Sequence, residues 1–309
     1  MDDVAHQPSS FAPLKTIGVI EIPDAAGTLF DHGAFDPQTR RVFVAHTARD
    51  RLEVIDRDNG CHLATLDGFP EAAGVVADAG QVLVTNRGAA SLAWVDGRTL
   101  ETRTVLDTGP RPNGVAIVSH LCLAAVACIG DDPGGPELQV LRLDRDQRSS
   151  IDLPGRPRWC VTDRDGTQVF LAIREPSMVL AAQLPKLDDV RYWMLPSRGA
   201  HGLDMDHHNH LLYVACDGGA LIELDAFAGE VRKQWPLAGV PDATFFNPAS
   251  GLVHVAVSDP GVVQSIDPRD GTSYLSATAI GAKTTAFVAP DRLYVFSPAH
   301  LGTLVLAES

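Results

Sequence analysis

The chain has 309 residues, 45% hydrophobic and 21% charged, and a formal net charge of −14. Length and apolar content suit a globular protein with a large buried core. The acidity excludes nucleic acid and an anionic membrane surface as partners, because both need a basic face and no basic cluster interrupts the sequence.

Five cysteines, Cys61, Cys122, Cys128, Cys160 and Cys216, form an odd set without a CxxC pair. They fit neither a disulfide framework nor a thiolate zinc site, so buried free thiols of a reducing compartment are expected. The first residues, Met1 to His6, carry no basic or apolar leader segment, and no apolar run approaches a membrane span. A cytoplasmic protein is the expectation.

Residues 1–14 are polar and punctuated by proline, and are predicted to form an arm; residues 15–309 form one domain. Lys15–Ile22 reads as a strand with no unit of its own. The first full unit sets a plan of four strands: Gly33–Phe35, Val42–Ala45, Leu52–Asp56 and His62–Leu66, joined by turns such as Asp36-Pro37-Gln38-Thr39-Arg40. Later units repeat it, as in Val82–Asn86 with Leu92–Asp96 and in Leu212–Ala215 with Leu221–Asp225.

Seven short stretches mark the start of each unit: Asp31-His32-Gly33, Ala72-Ala73-Gly74, Pro112-Asn113-Gly114, Pro157-Arg158-Trp159, Ala200-His201-Gly202, Pro241-Asp242-Ala243 and Ala282-Lys283-Thr284. Their middle residues are spaced by 41, 40, 45, 43, 41 and 41 positions. Such a period marks a β-propeller with one blade per repeat. The longest gap coincides with the turn-forming insertion 131–136. The last repeat stops after three strands, so Lys15–Ile22 is predicted to supply the outer strand of blade seven, closing the ring and removing an exposed sheet edge. The expected fold is therefore all-β, a seven-bladed propeller of four-stranded antiparallel blades.

The repeats carrying Val84-Thr85-Asn86 resemble the YVTN family of seven-bladed propellers, often described as YncE-like, over essentially the whole chain. The resemblance implies architecture more than activity, because such propellers serve many roles.

In a four-stranded blade, the loop before the inner strand and the loop after the second strand emerge on one face. That sorts the polar residues. Asp206-His207-His208-Asn209-His210 looks like a metal motif, yet it aligns with the plain turn 36–40 and falls on the opposite face. His32, Ala73, Asn113, Arg158, His201, Asp242 and Lys283 should instead ring one mouth of the central channel. Six of these seven are polar or ionisable and they differ from blade to blade, which hints at a grafted site, although polar channels can also be merely water-filled. Second-strand ends add His46 and Asn86, expected to reach inward, and place Arg87, Arg174 and Asp217 on the rim, with His300 nearby. Trp159 stands where four blades have glycine, and either wedges between blades or walls a pocket.

The ring supports three kinds of chemistry. His32, His201 and Asp242, with Asn113, can be read as ligands of a divalent metal, zinc, iron, manganese or nickel rather than calcium, which prefers oxygen. Lactonases of the SMP-30/gluconolactonase type are similar propellers with a cation site, but this ring has a single carboxylate. Alternatively His201 beside Asp242 forms an oriented general base, with Arg158 and Lys283 holding an anionic group, in outline similar to lyases of the virginiamycin B type. The third possibility is binding without reaction. No nucleotide-binding fingerprint occurs in a usable context. The expectation is a hydrolase or lyase acting on a small, anionic, carboxylated or lactone-like ligand held by Arg158, Lys283, Asn113, His46, Asn86 and Trp159, with a non-catalytic ligand-binding or protein-interaction propeller as the alternative.

Overall fold

The computed structural model describes residues 14–131, 134–297, 299 and 302–308. The arm (apart from Leu14), His300 and part of the 131–136 insertion lie outside these residues.

Seven four-stranded antiparallel sheets form the blades, and in six of them the strands pair in chain order. The inner strands are Gly33–Asp36, Ala72–Asp78, Pro112–Val118, Pro157–Thr162, Ala200–Asp206, Pro241–Asn247 and Thr284–Val288. Blade seven is completed as expected: Lys15–Glu21 pairs antiparallel with Gly302–Ala307, Lys15 opposite Ala307 and Glu21 opposite Gly302. Second and third strands are apolar on both faces because each sheet is sandwiched between two others. Between blades one and two, Phe43, Leu52 and Val54 pack with Val75, Val82 and Val84. Outer strands face solvent, and Val231–Pro236 is exposed almost throughout.

The strand-end aspartates cap the turns. Asp56 Oδ1 accepts the N–H groups of Asp58 and Asn59, both at 2.9 Å, the local bond that makes Asp a turn former. Asp206 does the same, accepting from His208 at 2.9 Å and Asn209 at 3.2 Å. The run His207–His210 is thus a capped turn of the ordinary kind.

The inner strands carry the feature that positions the site. In blades two to six the pairing with the second strand skips one residue: Ala72 opposes Asn86 but Val75 opposes Val84, and equivalent shifts follow Pro112, Pro157, Ala200 and Pro241. Blade one shows the same geometry, with Ala45 bonded to both Asp31 and His32. A bulge of this kind bends the strand and re-aims a side chain. The re-aimed residue is each time the middle one of the marker triplet. The glycine after it is required by crowding: a Cβ on Gly74 would lie 2.1 Å from the Asn113 carbonyl oxygen, on Gly114 2.2 Å from that of Arg158, and on Gly202 2.3 Å from that of Asp242.

Several buried polar side chains belong to the scaffold. Glu53, fully buried, accepts from His46 Nδ1 at 2.8 Å, His62 Nε2 at 2.8 Å and Thr65 Oγ1 at 2.6 Å. Burial alone would raise its carboxyl, but these hydrogen bonds outweigh it and hold the group at about 2, against an ordinary 4.5. His254 bridges Ser265 Oγ at 2.8 Å and Glu308 at 2.6 Å, and Asn247 also donates to Glu308, tying the end of blade seven to blade six. Cys128, Cys160 and Cys216 are buried free thiols, and burial pushes Cys128 and Cys216 up to about 12; Cys61, on an outer strand, is exposed. No helix among the described residues is long and apolar enough to cross a membrane.

Ring closure by the first strand makes a prediction. Ile20 is 6% exposed and Ile17 55%, so Ile20→Ala should cost about 2–4 kcal/mol in urea unfolding and Ile17→Ala less than about 0.5; equal effects would contradict the packing. The Glu53 network makes a second. Its folded carboxyl lies below the ordinary value, so its contribution is complete above about pH 4.5 and is lost as pH falls through about 2. Glu53→Gln should cost about 3 kcal/mol near neutral pH and flatten the fall of the urea midpoint across that window.

Candidate active site

The mouth of the channel holds a cavity of about 210 Å³ lined by six of the seven ring residues expected there, His32, Asn113, Arg158, His201, Asp242 and Lys283, and by Trp159. The seventh ring position, Ala73, is fully buried. The remaining lining includes Asp31, Arg87, Arg111, Arg156, Ile129 and Phe245. Five side chains are cationic and two are carboxylates, so a protein of net charge −14 turns this mouth basic. The sequence hides this because the arginines come from separate loops and never form a run.

One side is built by blades one to three. Arg87, directly after the second strand of blade two, donates from Nη2 to Asp31 Oδ2 at 2.6 Å and to Asn113 Oδ1. His32 Nδ1 lies 2.6 Å from Asp31 Oδ1, an ion-pair contact whose angle is not that of a hydrogen bond. Burial by itself raises the Asp31 carboxyl, but the charges of His32 and Arg87 win and hold it well below the usual range. Across the channel, Trp159 from blade four lays its indole on the His32 ring, centroids 4.0 Å apart and planes within 11°. It also packs against the core between blades four and five, so it both walls the cavity and wedges between blades.

The other side is built by blades four to seven. His201 Nδ1 is 2.8 Å from Asp217 Oδ1, and Arg174 Nε donates to Asp217 Oδ2 at 2.7 Å. Burial works to raise Asp217, while His201 and Arg174 together lower it, leaving it ionised. With Nδ1 committed to Asp217, Nε2 is the atom turned towards the cavity, where Asp242 Oδ1 stands 3.5 Å away, beyond an ideal hydrogen bond. Asp242 Oδ2 is 4.0 Å from Lys283 Nζ. The orienting carboxylate of His201 is therefore Asp217, from the rim, rather than its ring neighbour Asp242.

Arg158 is half-buried, and its Nε has no partner. Burial lowers its guanidinium, as do Arg156 and Arg174, against the opposing pull of Asp242 and Asp217. Arg156 is lowered in the same way, by burial and then by Arg174, Arg111 and Arg87. Like charges are held together here without enough carboxylate to neutralise them.

His46 and Asn86 do not line the cavity. His46 is fully buried with both nitrogens occupied, Nδ1 by Glu53 and Nε2 by Thr28 Oγ1 at 2.8 Å, and it stacks on Phe30. Asn86 is buried and donates to Ser91. Both end a second strand with the side chain turned into the blade, and the loop residue one position later, Arg87 in blade two, is the one that reaches the mouth. Among the described residues no group of three or more His, Cys, Asp and Glu side chains is placed to hold a metal ion. His201 and Asp242 meet, but His32 is engaged with Asp31 and Trp159.

No family model matches the chain, nor does any curated protein, so the likeness to YVTN repeats is one of architecture. Among solved structures, a hydrazine synthase of Kuenenia stuttgartiensis superposes with a TM-score of 0.78 at 15% identity, over 92% of this chain and 96% of that one. A streptogramin B lyase superposes with a TM-score of 0.79 at 11% identity, over 96% of this chain and 98% of that one. At these identities the likeness is one of fold: this chain is a seven-bladed β-propeller.

Proposed function

We propose that this propeller is a small-molecule enzyme, a lyase that removes a proton beside the carboxylate of an anionic substrate at the channel mouth. The observation that carries the reading is His201, oriented at Nδ1 by Asp217 and facing a cationic cavity with Nε2. A neutral imidazole held in this tautomer is a general base. The proton passes from the substrate carbon to Nε2, and the electron pair moves into the carboxylate. Collapse of that electron-rich intermediate expels a leaving group from the next carbon. Arg158 and Lys283 supply positive charge where the extra negative charge develops. Asp242, beside Nε2, stabilises the imidazolium that forms.

Elimination is favoured over hydrolysis of a neutral lactone by the charge of the site. A carboxylate that gains a second charge benefits from several cations, whereas the carbonyl of a neutral ester develops only one. The streptogramin B lyase of the same fold is a lyase by name, which supports the class of reaction.

The test is turnover of carboxylates with β-hydroxy, β-acyloxy or β-phospho leaving groups, followed by NMR in D2O so that proton exchange at the α-carbon is also seen. His201→Ala should lower exchange and elimination by about 10²–10⁴-fold. Asp217→Asn should lower them at least about tenfold while the chain remains folded, as read by its circular dichroism. Binding without exchange in the wild type, or exchange unaffected by His201→Ala, would leave a non-catalytic binding propeller instead.

A further inference from the structure

Two residues before each ring position lies a second, outer set of seven: Phe30, Glu71, Arg111, Arg156, Gly199, Val240 and Gly281. The backbone treats these positions alike. The carbonyl of Glu71 accepts from Arg87 N–H, that of Arg111 from Ile129 at 3.0 Å, that of Arg156 from Arg174 at 2.8 Å and that of Gly199 from Asp217 at 2.8 Å. The scaffold thus fixes the position and leaves the side chain free to vary. Only blades three and four, which are neighbours, place a cation there.

Arg111 and Arg156 are both exposed, both line the cavity, and neither makes an ion pair or a side-chain hydrogen bond with any described residue. Arg87 and Arg174, close by, are each neutralised by an aspartate, Asp31 and Asp217. Arg111 is moreover held at φ +52°, a left-handed conformation disfavoured for a residue with a side chain and more so before Pro112. Glu71, Gly199 and Gly281 share this left-handed backbone at the same position, so the scaffold imposes it and Arg111 is aimed by it.

We infer that the substrate carries a second anionic group, a phosphate or a second carboxylate, and that Arg111 and Arg156 grip it at the lip while Arg158 faces the reacting end deeper in. Paired guanidinium groups suit planar or tetrahedral oxyanions, to which each presents two parallel donors. The inference rests on the anionic-substrate reading of this site but not on catalysis by His201. The ligand class is a small dianion, and phosphate and dicarboxylate share that chemistry.

The experiment is calorimetric titration of the full chain with acetate, succinate, inorganic phosphate and sulfate at one fixed ionic strength. At least one dianion should bind tenfold or more tightly than acetate; phosphate with sulfate, or succinate, then identifies the group. Arg111→Ala and Arg156→Ala should each weaken that dianion by about tenfold, with acetate unchanged and unfolding midpoints unmoved. Both residues are exposed, so the variants should fold; Arg111→Lys and Arg156→Lys provide a second pair that retains charge and loses the fork, with an intermediate loss expected. Equal binding of dianions and acetate, or dianion binding indifferent to both alanine variants, would overturn the inference. His201→Ala that stops turnover while keeping dianion binding would separate this result from the fate of the catalytic reading.

Discussion

Seven inner strands converge on one axis, and the resulting crowding governs the rest of the molecule. The carbonyl oxygens of Asn113, Arg158 and Asp242 press against the neighbouring strand so closely that a Cβ at Gly74, Gly114 or Gly202 would collide with them. The strands of blades two to six relieve the crowding by a bulge, and in blades three to six the re-aimed side chain lines the mouth. The geometry that lets the ring close is thus the geometry that presents a site. A scaffold requirement repeated in every blade leaves the re-aimed side chain free of structural duty, so that histidine, aspartate, arginine or lysine can occupy it without disturbing the core.

Elsewhere the same fold absorbs polar residues into its framework. Glu53 gathers His46, His62 and Thr65 inside blade one, and Glu308 gathers His254 and Asn247 where the last strand leaves blade seven. Glu53 is buried and Glu308 half-buried, and in each the hydrogen bonds outweigh the cost of burial. These clusters contain three histidines against two at the mouth, but their polar atoms are mutually satisfied. At the mouth, Arg111, Arg156 and Arg158 remain without carboxylate partners among the described residues. The contrast between satisfied and unsatisfied charge, more than residue type, separates site from scaffold.

Much of this was legible in the sequence. The 40- to 45-residue period located the blades, the orphan strand at 15–22 implied closure, and the marker triplets located His32, Asn113, Arg158, His201, Asp242 and Lys283 at one mouth. Periodicity could not tell that His46 and Asn86 face into their blades, because one step along the chain separates core from mouth at a strand end. Nor could it pair Arg87 with Asp31 of the preceding blade, or Asp217 with His201, since these contacts depend on how far loops reach. Arg111 and Arg156 left a faint signal, an Arg-Pro step before the ring residue in two successive repeats. It stays invisible until the outer ring is aligned blade by blade.

The closure of blade seven has a bearing on how the chain acquires its shape. Lys15 and Ala307 are partners about 290 residues apart. During synthesis the strand at 15–21 is therefore made early and must wait, unpaired, for residues 302–307 to leave the ribosome. Six blades can assemble locally in that interval, but the ring stays open, with a bare sheet edge on offer to other chains. Contacts of such long range form late and slowly. The joint that completes the finished propeller is, for most of its biogenesis, an unpaired strand edge open to other chains.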